Sequence, residues 1–361
     1  MSIKIAGIQD GHDVSYCILE DGVPTIHEEL ERFSRIKEGI GDGLEFFFKN
    51  NNSKDIKYYA SGNPGGREYL LSRKINPNVQ LYQKKMLNIV KMNKGSYYAP
   101  GHHQNHAAGA FFASNFNKAL VITLDGAGTE YLDPNNMKDK KLLNIPRMTT
   151  AFTIWNGNDT KIERIHMESY RKFSIGALWH HATQKIFGLS IGAPHGHQAG
   201  TVMAMATMGD PEKYFNVFIS NVRDNCNINW ENYRKIAKSN EQKSFDLAAA
   251  LQKATEVRFK DRIAPYIEKY DGENICFSGG ASLNSVMIGK ITEWFPKIKN
   301  IYCDPIPYDG GLSLGAARYV WHHILSNPRI KWEDNSSPYL GRTYGIDEIN
   351  ETIKKYSNLN T

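Results

Sequence analysis

Twice in this chain an apolar strand runs into an Asp-Gly turn, and the two occurrences lie 115 residues apart. IKIAGIQDG stops at Asp10-Gly11 and ALVITLDGAG at Asp125-Gly126. The first goes on through DVSYCILEDGVPTIHEEL, which turns again at Asp21-Gly22. The second resumes after PNNMKDKKLLNIP as the polar-turned hairpin AFTIWNGNDTKIERIHMESY. Short apolar runs punctuated by Asp-Gly read as an antiparallel meander. A unit of this kind used twice constrains the chain to two lobes built on one plan. The 361 residues also exceed what one small core supports.

Between and after the sheets the apolar spacing predicts helices at 68–91, 103–115, 174–187, 201–208 and 244–270. The last third alternates strand and helix. ENICFSGG leads into ASLNSVMIGKITEWF, and NIYCDPIPYDGG into LSLGAARYVWHHIL. From about Asn327 the chain turns polar and proline-bearing before a short helix, DEINETIKKYS. The expected division is therefore a first lobe over 1–117, a second over 118–326, and a linker with the start of a further domain over 327–361. The insertion at 135–144 has no assigned role.

Composition narrows the class of protein. Hydrophobic residues at 41% and charged residues at 23% exclude disorder and coiled coil. No apolar run approaches the roughly 20 residues of a membrane span, and the N-terminus has no secretory pattern, so a cytoplasmic protein without a membrane partner is expected. The net charge of +6 is compatible with an anionic ligand. Cys17, Cys226, Cys276 and Cys303 lie far apart without a CxxC pair, as expected of buried thiols.

The segment GHHQNHAAGAFF places His102 and His106 four residues apart at a helix start, so both imidazoles project from one face. A metal-binding pair and a partly exposed structural pair both satisfy that spacing. No Glu follows the first His, so the zinc-protease pattern HExxH is absent. Asp125 and Asp309, each in a Gly-rich turn, complete a nitrogen and oxygen donor set that suits Fe(II) or Mn(II) better than a closed structural zinc.

Three Gly-rich turns follow strands, at Asp125-Gly126-Ala127-Gly128, Ser278-Gly279-Gly280 and Asp309-Gly310-Gly311. Such turns admit phosphate close to the backbone, and in a two-lobed chain they suggest the actin-like nucleotide-binding architecture, a duplicated ribonuclease H-like α/β fold. Neither GxxxxGK[ST] nor a GxGxxG turn after the first strand is present. His12, just past the first strand, is either a general base in the cleft or a turn residue bonded to Asp13. Arg32, Arg35 and Lys37 form a charged face or an anion contact. His195 and His197 sit in a polar loop of open role, while His180-His181 and His322-His323 read as structural.

Taken in order, GHDVSYCILEDGVPTIHEELERFSRIK, HHQNHAAGAFFASNFNKALVITLDGAG, SGGASLNSVMIGKI, DPIPYDGGLSLGAARY and SPYLG resemble the O-carbamoyltransferases of antibiotic and nodulation-factor biosynthesis, over about Ile5 to Gly341. That family's main domain is similar to the iron-carrying, actin-like tRNA threonylcarbamoyl-adenosine synthase subunit. The resemblance implies carbamoyl transfer from carbamoyladenylate, made from ATP and carbamoyl phosphate, to a hydroxyl. It implies His102, His106, Asp125 and Asp309 as metal ligands, His12 as acid/base and Lys37 as a donor contact. Gly279, Gly280, Asn284, Gly310 and Gly311 would belong to the adenylate site, joined by Gly126 and Gly128.

There are two departures from the pattern. Where the family commonly reads Glu-Gly-Lys-Val-Met-Gly-Leu-Ala, this chain has Ala199 to Ala206 without the acid and the lysine. After SPYLG the family continues into a YrdC-like domain that forms the adenylate, so a separate domain or subunit is the expected partner. The acceptor is open among small molecules, sugars and hydroxymethylated pyrimidine nucleotides or DNA. The competing expectations are a non-catalytic nucleotide-binding scaffold, which has no need of five retained site residues, and an actin-like sugar kinase, which has no need of HHxxH.

Overall fold

Both meanders form, the first through its Asp-Gly turns and the second around a strand that runs on past Asp125-Gly126. In a computed structural model describing residues 2–51, 55–62, 94–134, 147–189, 198–219, 228–331, 340 and 343–356, β1 (Lys4–Gln9), β2 (Ser15–Glu20) and β3 (Val23–Glu29) pair antiparallel. β4 (Tyr58–Ser61) and β5 (Ser96–Tyr98) then add parallel to β1, giving the order β3-β2-β1-β4-β5. The second sheet repeats this plan strand for strand. β6 (Lys118–Tyr131), β7 (Arg147–Asn158) and β8 (Lys161–Ser169) are antiparallel, β9 (Asn274–Ser278) and β10 (Asn300–Cys303) are parallel to β6, and the order is β10-β9-β6-β7-β8. The duplication read from two dipeptides is a duplication of topology.

Helices fill the layers. α1 (Gly43–Asn50) covers the outer face of the first sheet, where Phe46 and Phe47 pack on Tyr16. α2 (His102–Ala113) and α5 (Leu312–Arg318) lie together between the sheets. α3 (Ile175–Ala182) and the 29-residue α4 (Glu241–Lys269) cover the far face of the second sheet. There Leu120, Ile122, Phe152 and Ile154 meet Leu247, Leu251 and Phe259, all buried. Each such side chain contributes about 1.5–3 kcal/mol by leaving water. α6 (Ile346–Lys355) is the expected short helix and is exposed.

Two glycines allow the central layer to be this thin. A Cβ on Gly7 of β1 would stand 1.9 Å from the Ser313 carbonyl oxygen, and one on Gly315 would stand 2.0 Å from that of Asn105. Backbone therefore rests on backbone at β1 against α5 and at α5 against α2, which brings the starts of both helices to one place.

Several expectations change in detail. The predicted helix over 68–91, the 135–144 insertion, His195, His197 and Cys226 lie outside the described residues. Asp125 does not end its strand: Leu124 pairs with Phe152, the next pair is Gly128 with Thr150, and β6 continues to Tyr131. Asp125 to Ala127 thus form a bulge, the device that re-aims a side chain out of a ladder. The helix expected after Gly280 is broken into a 3₁₀ turn (Gly280–Leu283) and two short helices (Ser285–Gly289, Ile291–Trp294), because Asn284 caps the first of these and glycine closes it. No helix among the described residues is long and apolar enough to cross a membrane.

Candidate metal centre

α2 begins at His102 because Gly101 is extended and the next residues supply the cap. The Gly101 N–H donates to the Gln104 side chain, and the Gln104 N–H donates to Glu130 Oε2 at 3.0 Å. Glu130, fully buried near the end of β6, also accepts from the Tyr131 N–H and lies 3.6 Å from Arg164. Burial pushes its carboxyl up to about 7 in spite of Arg164. The carboxylate stands where the helix N-terminus has unpaired N–H groups, so chain entry and dipole are satisfied together.

From that start the i, i+4 spacing works as expected. His102 Nε2 and His106 Nε2 lie 3.2 Å apart. His102 Nε2 is 3.0 Å from Asp125 Oδ2, and both histidines reach Asp309 Oδ1 at 3.4 Å. One donor atom from each of the four residues lies within 4.8 Å of the others. The bulge delivers Asp125, whose Oδ1 accepts from the Gly280 N–H at 3.3 Å, and α5 brings in Asp309 on the turn before it. Ser278 Oγ sits 3.4 Å from His106 Nδ1 behind the ring. Gly128 is also explained, since a Cβ there would stand 2.2 Å from His102 Cδ2. The second glycine of DGAG is the floor under the imidazole.

The electrostatics are those of a site built for positive charge. Burial alone would raise Asp125, yet the His102 bond and the surrounding imidazoles hold it well below the usual carboxylate range. Asp309 is lowered in the same way, against burial, by His102 and His12. Burial opposes charge on His102, but Asp309 and Asp125 outweigh it and raise its pKa. Two nearly buried carboxylates facing two imidazoles fit one divalent cation. Ligand distances of about 2.0–2.2 Å set neighbouring donors roughly 3–4 Å from each other, as found here. His103, the third histidine, turns away to Thr153 and is held neutral by burial.

His12 reaches the cluster from the open side. Its Nε2 lies 3.3 Å from Asp309 Oδ2 and its Nδ1 2.7 Å from Asp13 Oδ2. Burial opposes the imidazolium, but Asp309 and then Asp13 overcome it and raise the pKa to about 9. Lys37 is exposed, on a loop tied across the His12 turn by the bonds Val14 N–H to Gly39 and Gly41 N–H to Gly11. Gly279, Gly280, Gly310 and Gly311 adjoin the cluster in the two turns that hold Asp125 and Asp309. Gly126 offers its carbonyl to Ser174, the cap of α3. The Asn284 amide faces away, exchanging hydrogen bonds with Gln252 and capping Met287. The sequence assigned no role to Ser15, His27 or Glu130 and named Ser278 only as the start of a Gly-rich turn.

A family model described as carbamoyltransferase N-terminus matches residues 51–318. The chain is 26% identical to the protein sll1178 of Synechocystis, over 95% of this chain and 61% of that protein. It is 24% identical to the nodulation protein NolNO of Sinorhizobium fredii, over 94% of this chain and 50% of that protein. The chain thus spans half to three fifths of the length of these relatives. Among solved structures it is similar to HypF of T. kodakarensis, with a TM-score of 0.51 at 12% identity, over 90% of this chain and 49% of HypF. That likeness is one of fold, the two-lobed actin-like α/β architecture expected from the sequence.

Proposed function

The chain belongs to the carbamoyltransferase N-terminus family, and on that premise we propose that it moves a carbamoyl group from carbamoyladenylate to an acceptor hydroxyl. The observation that carries this reading is the convergence of His102, His106, Asp125 and Asp309 between the sheets, with His12 on the same carboxylate. These four residues would hold Fe(II) or Mn(II), which when bound supplies a Lewis acid for the oxygens of the donor.

The chain's own groups divide the remaining work. The turns at Gly126-Gly128, Gly279-Gly280 and Gly310-Gly311 take the nucleotide end of the donor, and Asn284 shapes the second of them through its cap. Lys37 meets the donor from the loop over His12. His12, oriented through Nδ1 by Asp13, takes the proton of the acceptor hydroxyl at Nε2 from its neutral form, which becomes available when Asp309, the carboxylate that raises its pKa, is neutralised by a cation. The hydroxyl oxygen then bonds to the carbamoyl carbon, the bond from that carbon to the phosphate oxygen breaks, and AMP leaves with the electron pair. ATP and carbamoyl phosphate enter at the preceding step, on a YrdC-like domain or subunit. The acceptor is a hydroxyl on a small molecule, a sugar or a hydroxymethylated pyrimidine nucleotide or DNA.

The test is elemental analysis of anaerobically purified protein beside His106→Ala, with AMP present. Near-stoichiometric iron or manganese that disappears in the variant supports the reading. Metal-free parent protein that still binds AMP overturns it in favour of a nucleotide-binding scaffold or a kinase.

A further inference from the structure

Asp309 differs from the other three candidate ligands in having no regular element beneath it. His102 and His106 ride on a twelve-residue helix and Asp125 on a strand bulge, whereas Asp309 opens a three-residue 3₁₀ turn. What holds that turn comes from the opposite end of the sequence. Ser15 Oγ donates to the Gly310 carbonyl at 2.8 Å, and His27 Nε2 lies 2.9 Å from the same oxygen. A carbonyl only accepts, so the His27 nitrogen carries the proton. Two buried side chains on adjacent strands thus spend their donors on one oxygen, next to the peptide that carries Asp309.

The neighbouring contacts extend the grip. Ser15 Oγ also lies 2.8 Å from Ser313 Oγ at the start of α5, and the Tyr308 hydroxyl donates to both oxygens of Glu29, at 3.1 and 3.0 Å. His27 is fixed in turn, its N–H bonded to the Leu340 carbonyl and its imidazole kept neutral by burial. Buried polar groups are tolerated where every bond is made, and a group with no role in stability is readily replaced by an apolar one. The side-chain bonds of Ser15 and His27 end on the Gly310 carbonyl and Ser313 and not on the four cluster side chains, so both act through the turn.

We propose that Ser15 and His27 are positioning residues that clamp the Gly310 carbonyl from the first sheet and thereby aim Asp309 at the cation site. The proposal rests on the metal reading above. The site is then completed only when the DGG turn is seated on β2 and β3, so residues far from the cleft mouth set cation affinity. Partners of this kind typically change affinity by about 10–100-fold.

Two measurements on the full chain test it, with Ser15→Ala, His27→Leu and His27→Gln, the last keeping a side-chain N–H donor. The first is hydrogen exchange of the peptide spanning Tyr308 to Leu312 in metal-free protein. Faster exchange there in Ser15→Ala and His27→Leu, unchanged exchange in a peptide from α4, and recovery in His27→Gln are expected. The second is Mn(II) affinity by competition with a chelator, expected to fall about 10–100-fold in the same two variants and to recover in His27→Gln. Parental exchange and affinity within twofold of the parent in both disrupting variants would overturn the clamp. Should the parent bind no Mn(II), the metal reading fails, and with it the cation-aiming role, whatever the exchange data show. If His27→Leu does not fold, Ser15→Ala and His27→Gln decide by the same readouts.

Discussion

Helices α2 and α4 face each other through the second sheet and are built on opposite principles. All twelve residues of α2 are buried, yet its first turn is His-His-Gln-Asn, and charge holds it at both ends. Glu130 sits at its N-terminus. At its C-terminus Arg329 donates to the carbonyls of Phe111 and Ser114 and stacks its guanidinium 4.4 Å above the Phe111 ring. α4 carries an apolar face of Leu247, Leu251, Phe259, Ile263 and Ile267 under the sheet, while its buried Asp246, Gln252 and Glu256 bond to neighbouring elements. Against the sheet α4 is held by apolar area, whereas the two ends of α2 are held by directed bonds. Donors grouped around a cation must keep their distances to within about 0.2 Å, and this explains why directed bonds anchor the helix under the candidate site.

The largest effects should separate the two. His102→Ala is expected to lower cation affinity by at least about 100-fold, read by chelator competition, because it removes a ligand outright. Its metal-free stability should fall as well, because buried Asp125 loses its imidazole partner. Leu251→Ala should affect stability alone, costing about 2–5 kcal/mol in denaturant unfolding through a cavity in the α4 interface while leaving affinity within twofold. If Leu251→Ala weakened the cation site as much as His102→Ala, the division between the helices would be wrong.

Gly128→Ala sharpens the contrast on the β6 side. Its Cβ would overlap His102 Cδ2, and the ring stands over backbone that cannot recede. A loss of about 1–3 kcal/mol in stability is expected, as for other overpacked sites. A roughly tenfold weaker cation affinity should accompany it, since second-sphere changes act on this scale. A loss of stability alone would make Gly128 a matter of packing only.

How much of this was legible follows the same line. The HxxxH spacing, the Asp10-Gly11 and Asp21-Gly22 turns and Asp309 could be read because local geometry fixes their direction: four residues make about one helical turn, and Asp-Gly between two strands makes a turn. The repeated topology could be read for the same reason. Contacts made across the fold could not. Glu130 is an ordinary acid in a strand until α2 docks on it, and Arg329 falls in a stretch expected to be linker although its half-buried guanidinium packs against the end of α2. Ser15 and His27 are separated from Gly310 by 295 and 283 residues. The Asp125 bulge was missed because no local signal separates a strand that ends from one that bends.

The smallest effect concerns the apolar half of α2, which leans on a histidine. His322 is buried 4.6 Å from the Phe112 ring with its Nδ1 bonded to the Asn327 carbonyl. Burial lowers its pKa to about 4, helped by Arg329 and Arg318. In the folded chain it therefore binds fewer protons than the unfolded chain between pH 4 and 6.5. Its contribution to stability is complete above pH 6.5 and is lost as pH falls toward 4. Between pH 8 and 5.5 that loss should amount to about 1 kcal/mol. His12 and His102, whose pKa values are raised, act in the opposite sense, so the informative quantity is the difference between His322→Phe and the parent in denaturant unfolding at the two pH values. The variant should lose about 1 kcal/mol less than the parent on acidification. An equal loss in both would mean that folding leaves His322 unperturbed, whereas a smaller loss in the parent would mean that α2 rests on its charged form and that its far end, like its start, is held by charge.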